Sequence, residues 1–200
     1  DNPFDQLKRV FAYSLPLRRK FRRITVREGL LFEGEAGWGE AAPFWDYDAQ
    51  ESSRWLRAGL AAATTAFPAA KREQVPVNVT IPVTAPEVAA QLVKESGGCT
   101  TAKVKVADPG SSLRGDCERV AAVASALGPQ GKVRVDANAA WDTDQAVKAI
   151  GELQAAVRDG GIDGLEYVEQ PCPTVSELAQ VRRQVEPKIA ADESIRRAED

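Results

Sequence analysis

The stretch KVKVADPGSSLRGDCERVAAVASALGPQGKVRVDAN, Lys103 to Asn138, decides the fold. It begins within a strand-like segment, Thr101 to Val106, and then passes a turn at Asp108-Pro109-Gly110. A helical pattern follows from Leu113 to Leu127, and a second strand from Lys132 to Asp136. The same unit recurs downstream. Thr143 to Arg158 reads as helix, Gly164 to Glu169 as strand, Val175 to Val185 as helix and Lys188 to Ala191 as a short strand. Upstream, Val75 to Val83 is an apolar run and Ala85 to Lys94 is helical. Short apolar strands alternating with amphipathic helices predict parallel βαβ units. No strand is followed by a glycine-rich dinucleotide fingerprint or by a Gly-x-x-x-x-Gly-Lys phosphate loop. The expectation is therefore an α/β fold of the (β/α) barrel type rather than a nucleotide-binding open sheet.

Each of these strands ends in charge. Lys103 and Lys105 close the first, Asp136 closes the second with Asn138 two residues on, Glu169 closes the third and Asp192 follows the last. From Lys105 the steps are 31, 33 and 23 residues, about one βα unit each. A single carboxylate after a strand is ordinarily a helix cap or a solvated loop residue. Four charged strand ends in succession are a different matter, because strand C-termini of a (β/α) barrel converge on one mouth. Residues i and i+2 share a strand face, so Lys103 with Lys105, and Asp136 with Asn138, can point inward together. Asp136, Glu169 and Asp192 then form a half-shell of hard oxygen ligands. With no histidine in the chain, that set favours Mg²⁺ over zinc. A lysine one strand away from such a cation is suited to abstract a proton next to a carboxylate, and the metal and a nearby ammonium would stabilise the developing enediolate.

The N-terminal region has a different texture. Lys8 to Ser14 and Ile24 to Glu35 read as strands, Ala36-Gly37 as a turn and Trp38 to Ala42 as a returning strand. Ala49 to Phe67 is Ala-rich and helical, stopped by Pro68, and Ala69 to Gln74 reads as a linker. Two domains are expected: 1–74, a small α+β domain, and 75–200, the first part of a barrel.

Composition excludes several classes. Of 200 residues, 44% are hydrophobic and 28% charged, which is ordinary for a globular chain and too apolar for a disordered one. With 26 basic and 29 acidic residues the net charge is −3, so no nucleic-acid partner is expected from the overall field. The longest apolar candidate, Ala58 to Ala70, is short and contains Pro68, so no membrane partner is expected either. Three cysteines without a framework spacing point to a reducing compartment and a cytoplasmic location. The absence of histidine removes His-based triads and dyads, leaving Lys, Asp, Glu, Tyr or Cys as general base. Cys172 reads as an inert small residue. The basic run Arg18 to Arg23 reads as a solvated loop, with attraction of an anionic substrate as the next reading. Trp38, Trp45 and Tyr47 fit either a site lining or a core.

The strand-end motifs Lys103-Val104-Lys105, Val135-Asp136-Ala137-Asn138, Val168-Glu169-Gln170-Pro171 and Ala191-Asp192-Glu193-Ser194 resemble, in order and spacing, those of the enolase superfamily, in its lysine-based group of muconate cycloisomerases and o-succinylbenzoate synthases. Leu15-Pro16-Leu17-Arg18, Phe21-Arg22, Ile24 to Gly29 and Gly37-Trp38-Gly39-Glu40-Ala41-Ala42-Pro43-Phe44 are most similar to actinobacterial o-succinylbenzoate synthases. The resemblance runs from about Phe11 to Arg196. It implies Mg²⁺ ligands at Asp136, Glu169 and Asp192, the acid/base at Lys105, and a positive neighbour at Lys103. It also implies support of the metal site and substrate by Asn138, a substrate contact at Arg22, and a capping domain over residues 1–74 whose loop at 18–23 closes the mouth. The implied reaction is dehydration of a cyclohexadiene carboxylate, a small-molecule substrate, to o-succinylbenzoate for menaquinone synthesis. The alternatives are an N-acylamino acid or dipeptide racemase, a muconate-type cycloisomerase, or a non-catalytic remnant. The family carries a second lysine on a sixth strand, and with no initiating methionine and an end just after the fifth strand, a longer natural protein is expected.

Overall fold

The computed structural model describes residues 3–21, 24–197 and 199. Contacts divide the chain into two compact units, 1–74 and 75–200.

The first unit is a three-stranded antiparallel sheet carrying one helix. After a 3₁₀ turn at Pro3–Gln6, strands β1 (Leu7–Phe21), β2 (Ile24–Gly34) and β3 (Gly37–Ala41) pair in sequence order. Strand β1 is longer than the sequence reading. It runs on through Pro16 to Phe21, so the backbone of residues 18–21 is strand rather than loop. Proline is tolerated there because β1 is an edge strand, where a missing N–H costs no ladder bond. The β2–β3 turn is Glu35-Ala36, with Gly34 opposite Gly37. Helix α1 (Ala49–Thr64) begins where the Asp48 side chain accepts the Glu51 N–H at 2.7 Å. It ends three residues before the reading, at the β-branched pair Thr64-Thr65. It buries Leu60 and Ala63 against Phe32 and Ala41. Trp38 and Trp45 are exposed and belong to no core, while Tyr47 packs against Phe44 and Trp55.

The second unit is a five-stranded, all-parallel sheet in sequential order: β4 (Val79–Ile81), β5 (Thr101–Lys105), β6 (Lys132–Asp136), β7 (Leu165–Glu169) and β8 (Lys188–Ala190). Helices α2 (Pro86–Lys94), α3 (Leu113–Leu127), α4 (Thr143–Asp159) and α5 (Val175–Arg182) alternate with the strands. A doubly wound sheet reverses its strand order; an unbroken sequential order is that of a (β/α) barrel. The apolar run at residues 75–83 yields only three strand residues, and Val75 and Val77 are exposed. Side-chain caps start three of the helices: Ser112 for α3, Asp142 with Gln145 for α4, and Thr174 with Glu177 for α5. The core lies between sheet and helices. Val104, Val133, Val135 and Val168 from the strands meet Val120, Val123, Ile150, Leu153 and Val157 from the helices, all essentially inaccessible to solvent. No helix among the described residues is long and apolar enough to cross a membrane.

Candidate active site

Strand alternation sends Val104, Val135 and Val168 to the helices, which leaves Lys103, Lys105, Asp136 and Glu169 for the opposite face. The parallel register makes Lys105, Asp136, Glu169 and Ala190 successive partners across β5 to β8. A lysine and two carboxylates therefore stand level at three adjacent strand ends, and Asp192 follows two residues beyond Ala190.

The ammonium of Lys103 donates to Glu169 Oε1 at 3.0 Å and lies 3.4 Å from Asp136 Oδ2. Lys105 pairs with Asp136 Oδ2 and donates to Asn138 Oδ1 at 2.9 Å. Asp136 is almost wholly enclosed, its side chain 1% exposed, and its other oxygen accepts the Asn138 N–H at 3.0 Å. Asn138 also donates to Glu193 Oε1 at 2.8 Å, which ties the β6 exit to the β8 exit. Both expected lysines, Asp136, Glu169 and Asn138 thus meet in one network. Among the described residues no three acidic, histidine or cysteine side chains close into a metal-ligating group. Here the positive charge beside Asp136 and Glu169 comes from the two lysines.

Sequence reasoning missed Gln170. Its side chain is fully buried, and its Oε1 accepts the Asp192 N–H at 2.6 Å, the Ser194 hydroxyl at 3.2 Å and the Ser194 N–H at 3.4 Å. Its amide nitrogen donates to the Cys172 carbonyl at 2.9 Å. Gln170 therefore fixes the loop that carries Asp192. The available signal was a glutamine between a strand-end carboxylate and Pro171. Backbone strain is concentrated in the same place. The non-glycine residues with left-handed φ among those described are Ala107, Asn138, Ala139 and Gln170, each within three residues of the end of β5, β6 or β7.

The electrostatics have one sign. Burial raises the Glu169 pKa, the Lys103 hydrogen bond opposes this, and the charges of Asp136 and Asp192 push it up further, leaving it above the ordinary carboxylate value. Burial lowers the Lys103 pKa, but Glu169 and Asp136 together outweigh it, so its ammonium is held more firmly than usual. Burial is the larger cause for Glu169, with the Asp136 and Asp192 charges adding to it, whereas the neighbouring carboxylates are the cause for Lys103. Asp136 and Glu169 offer hard carboxylate oxygens, the donor type that a divalent cation of the Mg²⁺ kind takes. Cys172 is buried, and desolvation with the Glu177 and Asp142 charges pushes its thiol up to about 11, away from the reactive thiolate. Arg22 lies outside the described residues.

Comparison with known proteins adds an independent line. Residues 12–63 match the family model described as enolase N-terminal domain-like, and residues 85–200 match the one described as enolase C-terminal domain-like. An o-succinylbenzoate synthase from Thermobifida fusca is 56% identical over 189 residues, covering 94% of this chain and 57% of that protein. The chain thus spans little more than half the length of this relative. The crystal structure of o-succinylbenzoate synthase from Thermosynechococcus elongatus BP-1, complexed with Mg in its active site, superposes with a TM-score of 0.64 at 25% identity. It covers 94% of this chain and 68% of the other. A dipeptide epimerase from Enterococcus faecalis V583 has a TM-score of 0.65 at 26% identity, covering 92% and 66% respectively.

Proposed function

The chain belongs to the enolase superfamily, and from that premise we propose that the protein containing it is a Mg²⁺-dependent o-succinylbenzoate synthase, dehydrating a cyclohexadiene carboxylate in menaquinone biosynthesis. The observation that carries the reading is the level row of Lys105, Asp136 and Glu169 on adjacent strand ends. The 56% identity to the Thermobifida fusca synthase favours this reaction within the superfamily. Asp136, Glu169 and Asp192 are the residues that would hold Mg²⁺. Bound there, the ion supplies positive charge to the substrate carboxylate, which acidifies the neighbouring C–H.

The chain's own groups do the rest. Lys105 Nζ, placed by Asp136 and Asn138, acts in its unprotonated form and takes the α-proton. Lys103 keeps its proton and stabilises the negative charge that develops on the substrate. Lys105, now an ammonium, returns the proton to the departing hydroxyl. One C–H and one C–O bond break, a C=C bond forms, and water leaves. One lysine acts as base and then as acid, so the elimination takes place on one face. Three free thiols accord with a cytoplasmic setting. A dipeptide epimerase is the second reading, favoured by the structural likeness to the Enterococcus faecalis enzyme.

The test uses the full-length protein. Formation of o-succinylbenzoate is followed with Mg²⁺ and with chelator, and epimerisation of a dipeptide is assayed in parallel. Turnover to o-succinylbenzoate that the chelator abolishes is expected; epimerisation alone would replace the first reading with the second. Lys105→Ala should lower exchange of the substrate α-proton by about 10²–10⁴-fold and leave calorimetric Mg²⁺ binding nearly intact. Retained exchange removes Lys105 as the base.

A further inference from the structure

Behind Lys105, on the helix side of β5, lies an ion pair that the reaction as described does not use. Asp116 and Arg119 sit one turn apart on α3, and both are buried, 2% and 3% exposed. Their guanidinium–carboxylate contact is one of several. Arg119 Nη2 also donates to the Lys105 carbonyl at 3.0 Å, and Nη1 to the Thr84 carbonyl at 3.3 Å. Asp116 Oδ2 accepts the Ala107 N–H at 2.8 Å, and its Oδ1 accepts the Ser111 hydroxyl at 2.6 Å.

The register explains why these groups need partners. Strand β4 pairs with β5 only as far as Ile81 opposite Val104. The Lys105 carbonyl lies one residue past that ladder and would be an orphan acceptor without Arg119. Two residues on, Ala107 adopts a left-handed φ of 59°, which a residue with a Cβ holds only when its surroundings impose it. Asp116 grips the N–H of that residue. The pair therefore holds the main chain on both sides of Val106, at the point where the strand turns away from the site.

Stability alone does not account for this arrangement. A buried ion pair is commonly matched or bettered by apolar residues of the same volume. Arg119 Nε is moreover buried with no hydrogen-bond partner among the described residues, a cost that an apolar side chain would not carry. The fork of the guanidinium instead spans two carbonyls and a carboxylate at once, a task that suits arginine's rigid planar geometry.

We infer that Asp116 and Arg119 are positioning residues for Lys105: they fix the backbone from which its side-chain amine reaches the proton on the reacting carbon. The inference rests on the proposal that Lys105 is the base. A lysine displaced by about 1 Å loses on the order of 100-fold in rate, although substrate and metal still bind through other groups.

The experiment measures kcat, KM and Mg²⁺ Kd in the full-length protein carrying Arg119→Met. A second protein carries Asp116→Asn with Arg119→Gln, a neutral pair that leaves no unpaired buried charge should Arg119→Met alone fail to fold. Lys105→Ala serves as the control. The expected result is a kcat lower by about 10- to 100-fold, with KM and Mg²⁺ Kd near the unsubstituted values. An unchanged kcat in either folded variant overturns the inference. So does a parallel loss of kcat, substrate affinity and Mg²⁺ affinity, which is the mark of a merely structural role. If Lys105→Ala itself keeps turnover, the base assignment fails and the inference with it. A dead Lys105→Ala protein beside a fully active Arg119→Met protein sinks the inference alone.

Discussion

Glu169 accepts the Lys103 ammonium while lying in the field of Asp136 and Asp192, and its pKa is raised by burial and by those two like charges. A glutamine there keeps the shape and one acceptor but removes a charge that a divalent cation would use. Glu169→Gln should therefore weaken Mg²⁺ binding about tenfold or more, read by titration calorimetry; an unchanged Kd would mean that Glu169 is only Lys103's counter-charge. Gln170 acts one step further out, through its grip on the Asp192 and Ser194 backbone. Gln170→Leu leaves those donors unpaired and frees the Asp192 loop. If Asp192 holds Mg²⁺ as proposed, affinity for the ion should fall about 10- to 100-fold, as for groups that orient a metal ligand. At this scale the sequence announced the charged groups, because charge after an apolar strand is visible in one dimension. It was silent on Gln170, Asp116 and Arg119, whose partners lie up to 35 residues away in the chain.

Elements were legible where the signal is local. Ser112, Asp142 and Thr174 stand one residue ahead of the helical patterns they cap, and the alternation of Lys103-Val104-Lys105 and Val133-Arg134-Val135 gives the two faces of the strands directly. They were less legible where neighbours decide. β1 continues past Pro16 because it is an edge, and the apolar run before α2 pairs over only three residues. The docking of α1 is another tertiary matter. A Cβ on Gly39 would come 1.8 Å from the Gly59 carbonyl oxygen, and one on Gly59 would come 2.6 Å from that of Glu40. Helix and sheet touch through backbone there. Gly39→Ala should cost about 1–3 kcal/mol through the forced separation, seen as a lower urea midpoint. A midpoint equal to that of the parent would show that the helix moves away freely.

On the scale of the molecule, acid stability can be traced to particular carboxylates. Burial raises the Glu166 pKa, but hydrogen bonds from Arg134 and Lys132 outweigh it and bring it below the ordinary value. A carboxyl whose folded pKa is depressed adds stability above its unfolded pKa, near 4.3, and loses it as pH falls through the folded value. Glu166→Gln should thus be less stable than the parent at pH 7, by no more than about 1 kcal/mol for so accessible a pair. The two proteins should converge in strong acid. Parallel stability curves at all pH values would exclude the charge as the cause.

The level alignment of Lys105, Asp136 and Glu169 reaches beyond chemistry. A one-residue slip of any of these strands would displace its charged group by about 3.3 Å and turn it toward the helices, while pushing a core valine the other way. Apolar core and reactive groups are written on alternate positions of the same strands, so an error in one is an error in both. A chain with one of these strands slipped loses a member of the row together with its core contact. On the proposed function, turnover per mole of purified protein therefore reports the chains that have folded in register, and it can serve as an assay of folding yield.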